Sequence, residues 1–183
     1  MQSTAPRTRR LVGVAAAALA ATGALLASPL ASAAAPARPT VSSSDASALQ
    51  KDQSGSDLEF FISNIESFAG SRSNVRAFAN KVVGDHQTLN LALENLAAAK
   101  KVVLPTHIRT SDAELGKKVV AAVGTPALDQ VYLQVMRKIN GEDAAADIKL
   151  QKSTSDAAVR AFAARAGSVD GAHLRLTTSL LGG

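Results

Sequence analysis

No cysteine occurs in the 183 residues. That absence removes disulfides, thiol catalysis, thiolate metal ligands and a lipid-carrying cysteine together. The chain must be held by its core, and its length is enough to bury one. Tryptophan is missing too, and the aromatics amount to one tyrosine and five phenylalanines. A nucleic-acid surface combines a basic stripe with stacking aromatics, whereas here no run of Lys or Arg exceeds two residues, as at Lys100-Lys101, Lys117-Lys118 and Arg137-Lys138. Nucleic acid is therefore not expected as a partner. No serine lies in a Gly-x-Ser-x-Gly elbow, and there is no glycine-rich phosphate loop. No stretch alternates in the manner of a strand, and no helical face is basic enough for membrane-surface binding.

The one long uncharged run lies near the amino terminus. Arg7, Arg9 and Arg10 precede it, no acid accompanies them, and residues 11–27 are Ala, Leu, Val, Gly and Thr without a charge. Small residues follow, including Ala31-Ser32-Ala33, with Pro29 close by. This is the three-part pattern of a secretory signal. The run falls short of the roughly 20 apolar residues that cross a bilayer, so cleavage is expected after Ala33, with Ala35 as the second choice, and no membrane span thereafter. Arg9-Arg10 leaves both the general and the twin-arginine export routes open. Three of the 20 Lys and Arg lie in this segment and none of the 15 Asp and Glu does, so the nominal +5 becomes +2 for the remainder. The expected location is outside the cytoplasm, secreted or associated with the envelope.

Residues 34–55 are rich in Ala, Pro, Ser and Asp and carry little large apolar surface, which predicts a flexible leader. The remaining 56–183 read as one helical domain. Ser56 and Glu59 have capping-box spacing, and Phe61, Ile65 and Phe68 then form an apolar row on helix 1, closed by Gly70. Helix 2 is expected from Ser73 to Lys101, with Val75, Phe78, Val82, Leu89, Leu93 and Leu96 inward, and Pro105 in the loop behind it. A second capping box, Ser111 and Glu114, opens a short helix closed by Gly124. Thr125-Pro126 restarts the chain as a long helix through Leu128, Val131, Tyr132, Val135 and Met136 to about Leu150. The last helix runs from Ser155-Asp156 to Leu181. The fold class is thus all-α: a four-helix bundle with one short extra helix between helices 2 and 3.

Val75-Arg76-Ala77-Phe78-Ala79 recurs as Val159-Arg160-Ala161-Phe162-Ala163. His86 follows the first copy by eleven residues and His173 the second by fourteen. At 100° per residue both offsets return near the starting face, so both histidines are expected to point inward. An inward histidine is commonly a hydrogen-bonded core residue; two at matching places also suit a ligand pair.

These segments, with Asp85-His86, Val102-Val103-Leu104-Pro105, Leu128-Asp129, Tyr132, Met136 and His173-Leu174, stand in the order of a family of exported bacterial proteins, which the chain resembles over about residues 57–181. That family is catalogued as domain of unknown function 4142. The resemblance implies a ferritin-like bundle with an inward set of carboxylates and histidines, and no established activity. Two positions depart from the family pattern. Phe61 stands where a first-helix glutamate is usual, and Asn140 where a histidine is usual, so two expected ligands are missing.

Two readings follow. The first is a non-enzymatic exported module that acts by contact with an unknown protein or envelope component, because no complete catalytic set is present. The second is a ferritin-like metal-binding protein using His86, His173, Asp85 and Asp170, with a divalent transition metal as cofactor; imidazole with carboxylate suits zinc, iron or copper. Asp170-Gly171-Ala172-His173 places acid and imidazole on one helical face. Asp129, Tyr132, Met136, Asn140 and Asp143 share a face as well, read as a buried Tyr-Met stripe with solvated ends. Glu59 is assigned to its cap, Glu66 to the surface and His107 to a solvated loop.

Overall fold

The computed structural model describes residues 41–182. The expected signal segment, the cleavage site and residues 34–40 of the expected leader lie outside the described residues. The described residues form five helices, α1 (Ser43–Ala69), α2 (Ser73–Lys100), α3 (Thr110–Ala122), α4 (Leu128–Ser153) and α5 (Ala157–Gly182), and no strand. α1 packs on α2 and α4, and α5 packs on α4 and α2, so the order around the bundle is α1, α2, α5, α4. Short joints reverse the chain between α1 and α2 and between α4 and α5. Asp45 at the start of α1 meets Thr154 past the end of α4, and Arg72 before α2 reaches Leu180 O near the end of α5. Every neighbouring pair is therefore antiparallel. The α2-to-α4 connection crosses the bundle and carries α3, which rests on α1 and α4. A four-helix bundle with a long crossover is the ferritin-like arrangement.

α2 and α5 follow their apolar stripes: Val75, Phe78, Val82, Leu89 and Leu93, then Val159, Phe162, Ala163 and Ala166, are buried. Asp156 caps α5, accepting from the N–H groups of Ala158 and Val159. Lys101 ends α2 in the left-handed region at φ 58°, and Gly124 closes α3 at φ 77°.

α1 departs from expectation in two ways. It begins at Ser43, capped by Ser42, whose Oγ accepts from Asp45 N at 3.1 Å, so residues 43–55 are helix rather than flexible leader, and Ser56 and Glu59 stand in mid-helix rather than at a cap. This segment is anchored by hydrogen bonds more than by apolar area. Thr154 Oγ1 donates to Asp45, Ser54 Oγ donates to Asp112, and Arg109 N donates to Ser54 Oγ. A buried polar side chain is tolerated once so partnered. The inward face is also different. Phe61 is 46% exposed and Phe68 89%, while Leu58 and Ile62 are buried. The inward row of α1 is largely polar, with Asp52, Ser56, Glu59, Ser63 and Glu66 at helical spacing, so the most hydrophobic row is not the buried one. α3 starts at Thr110 without a side-chain cap, and Glu114 pairs with Lys117 instead of capping. Thr125 Oγ1 accepts from Ala127 N, ahead of the start of α4.

Leu49 is fully buried among Leu89, Leu93, Leu150 and Val159. Leu49→Ala is expected to destabilise the protein by about 2–5 kcal/mol in urea denaturation. The exposed Leu91 serves as comparison, its replacement by Ala costing under about 0.5 kcal/mol. A flexible 43–55 segment would give no such difference.

A polar layer inside the bundle as candidate metal centre

The apolar core comes in two parts. One gathers Leu58, Ile62, Val75, Phe78, Tyr132 and Met136, the other Leu49, Leu89, Leu93, Leu150, Phe162 and Ala166. Between them lies a layer of polar side chains contributed by all four long helices: Asp52, Ser56 and Glu59 from α1, His86 and Asn90 from α2, Asp143 and Asp147 from α4, Asp170 and His173 from α5. Most of these surround a small cavity of about 20 Å³, room for about one water or ion.

Both histidines point inward, as the repeat predicts. Their ring centroids are 5.5 Å apart, and His173 stands edge-on to Phe78. Each ring has one nitrogen tied and one free. His86 Nδ1 lies 2.7 Å from Ser56 Oγ, and Ser56 in turn donates its proton to Asn90 Oδ1. A serine has one proton to give, so Nδ1 of His86 is the donor and Nε2 of the neutral ring carries a lone pair. His173 Nε2 donates to Asp85 Oδ2 at 2.8 Å, which leaves the lone pair on Nδ1. His86 Nε2, His173 Nδ1 and both carboxylate oxygens of Glu59 are buried without a hydrogen-bond partner. His86 Nε2 is 3.3 Å from Glu59 Oε2, but not in hydrogen-bonding alignment. One ligand atom from each of Glu59, His86 and His173 lies within 4.8 Å of the others.

Of the four residues expected as ligands, three adjoin the layer's interior and one stands behind it. Asp170 lines the cavity with His86 and Asp147. Asp85 is partly exposed, pairs with Lys81 at 2.7 Å and orients His173 from outside. Glu59, two positions before Phe61 on α1, stands as the inward carboxylate in place of Asp85. Glu66 is also fully buried, against the expectation of a surface position. Asp129, Tyr132, Met136 and Asn140 are all buried, so the Asp129 end of that stripe is not solvated, while Asp143 at the other end is half-buried. Asp129 accepts from Ser71 N, Ser71 Oγ and Arg72 N, and Tyr132 OH meets Ser63 Oγ at 2.9 Å. Asn140 Nδ2 donates to Met136 O. His107 is exposed, as expected.

The electrostatics follow from crowding acids in a dry interior. Burial is the largest cause of upward shifts at Asp52, Asp143, Asp147 and Asp170, and neighbouring carboxylates add to each. Asp143 is raised to about 6. Burial alone would lower the pKa of His86, but the charge of Glu59 beside it, with Asp170 and Asp85 beyond, raises it. Burial lowers that of His173 despite the hydrogen bond to Asp85. Partial burial opposes ionisation of Asp85, yet Lys81 and His173 hold its pKa below the usual value. Glu66, buried beside Asp129, is raised to about 8.

Comparison with known proteins fits this architecture. A crystal structure of a DUF305 fragment from Deinococcus radiodurans superimposes with a TM-score of 0.70 at 12% identity, covering 79% of this chain and 99% of that one. At that identity the likeness concerns the fold alone. Among curated proteins no sequence match is found. The family model described as Domain of unknown function (DUF4142) matches residues 30–180, and the chain belongs to that family.

Proposed function

We propose that this protein is an exported metal-binding bundle that holds a divalent transition cation between Glu59, His86 and His173. The observation that carries the reading is the set of orphaned electron pairs. Three buried side chains converge with polar atoms that no hydrogen bond satisfies, and a buried unpaired polar group costs on the order of 1–3 kcal/mol. A cation satisfies all of them at once. The tied nitrogens support the same reading, because a ligating imidazole commonly donates its other N–H to a carboxylate or a similar acceptor. Asp85 fills that role for His173 and Ser56 for His86. Two imidazoles and a carboxylate suit zinc, iron or copper over calcium or magnesium. A bound ion would supply a Lewis-acidic or redox-active centre.

Elemental analysis and calorimetric titration of the purified chain with zinc, iron(II) and copper(II) test the proposal. One ion per chain is expected, with magnesium failing to compete; no uptake of any of the three refutes it. Asp85→Asn removes the charge that orients His173 and is expected to weaken binding about 10–100-fold while leaving one ion per chain.

The export signal read from residues 1–33 supports a site of action outside the cytoplasm. A second reading, a module acting by protein contact, is favoured by Phe61 and Val120, which line an apolar groove between α1 and α3, and by exposed Phe68. Absence of metal uptake would leave that reading standing.

A further inference from the structure

A buried cation site needs a way in, and the structure offers a specific one. On the surface between α1, α3 and α4 lies a cleft of about 360 Å³. Asp143 lines both this cleft and the internal cavity that holds Glu59 and His86. Its carboxylate lies against Gly55 of α1, where an added Cβ would come within 2.6 Å of Asp143 Oδ2. The missing side chain at Gly55 is thus what lets the carboxylate stand between cleft and cavity. Lys51, one turn earlier on α1, places Nζ 3.6 Å from Asp143 Oδ1. The other cationic side chains of the cleft are engaged within their own segments, Arg109 by Asp112 and Lys138 by Glu142. Lys51 is the cleft cation that faces Asp143.

We infer that Asp143 is the inlet of the metal site and Lys51 its gate, an inference that rests on the cation-site reading above. The Lys51 ammonium occupies the position that an incoming cation must take. An arriving ion displaces it, is received by Asp143, and passes to the acid side chains of Asp52, Asp147 and Asp170, which line the cavity beside Glu59 and His86. A tethered ammonium at the inlet opposes both arrival and departure, so it sets the rate of exchange more than the affinity.

Stopped-flow uptake of cobalt(II), followed by its visible absorption, separates these quantities. Lys51→Met is expected to speed association and dissociation alike, each roughly tenfold, with Kd changed by less than about threefold. Lys152→Met, which removes a charge at the exposed end of α4, is the control for net charge and should change neither rate appreciably. Gly55→Ala favours the helix and forces the Asp143 carboxylate aside, so association should slow roughly tenfold with an unchanged circular dichroism spectrum; Asp143→Asn should slow it likewise. Rates in Lys51→Met that match the wild type or the control overturn the gate, as does a faster association that appears wholly as tighter binding. Failure of the wild-type chain to take up cobalt, zinc, iron or copper overturns the site itself, and the gate with it.

Discussion

Alanine in place of Glu59, His86 or His173, one at a time, is expected to abolish stoichiometric metal uptake, with affinity falling more than about 100-fold. That bound follows because loss of an outer partner alone costs about 10–100-fold, and each of these three changes removes a donor outright. A damaged fold would also abolish binding, and Glu59 provides the means to tell the two apart. Its oxygens are buried and unpartnered, so in the metal-free protein the carboxylate is a burden. Glu59→Gln preserves shape and removes the charge. It should raise the stability of the metal-free chain by about 1–3 kcal/mol while destroying uptake. A variant that is more stable and yet does not bind marks a side chain placed for its ligand rather than for the fold. Urea denaturation in chelator alongside calorimetry gives both quantities. A Glu59→Gln chain that is less stable than the wild type, or that binds metal as well, would refute the assignment.

The metal-free chain is expected to be more stable at pH 5 than at pH 8, the reverse of the usual behaviour of a protein whose carboxylates are salt-bridged. Asp52, Asp143, Asp147, Asp170 and Glu66 all hold their protons more tightly folded than unfolded, chiefly through burial. Their contribution is complete below about pH 4, where both states are protonated, and is lost as pH rises through the folded pKa values. For Asp143 that means a loss between its ordinary 3.8 and about 6, worth about 3 kcal/mol at most. Glu66 extends the window to about 8, and His86, also raised, acts in the same direction. His173 opposes them as a single lowered group. Asp85, Asp112, Asp129 and Asp156 are lowered, and their contribution is lost only under about pH 4. Saturating zinc should invert the slope, because protons compete with the ion for its ligands. Thermal denaturation at pH 5 and pH 8, in chelator and in zinc, checks both signs. A metal-free Tm that is higher at pH 8 contradicts this account.

Much of the fold was legible where burial is apolar. α2 and α5 show their inward faces through Val75, Phe78, Val159 and Phe162, and the repeat between them placed His86 and His173 inward. α1 misleads because its buried row is the polar one: Phe61 and Phe68 outweigh Leu58 and Ile62 in hydrophobicity, and nothing in a single sequence distinguishes a carboxylate meant for the interior from one in water. The same blindness hid Glu59, Asp52, Asp143 and Asp147. Ser56 three residues before Glu59 imitates a cap, and only the burial of both beside His86 reveals that the pair belongs to the layer. The acid at i and imidazole at i+3 in Asp170 and His173 was the one local signal that pointed to it.

The division of the core into two apolar halves has an evolutionary consequence. Each half holds the helices together through its own apolar contacts, and the band between them is the part of the interior that those contacts do not dictate. Substitutions within that band are thereby freed from the demands of folding, and selection can revise the chemistry at the waist of the molecule while its two ends stay as they are. A lineage built on this plan can gain, exchange or abandon a ligand set without passing through an unfolded ancestor.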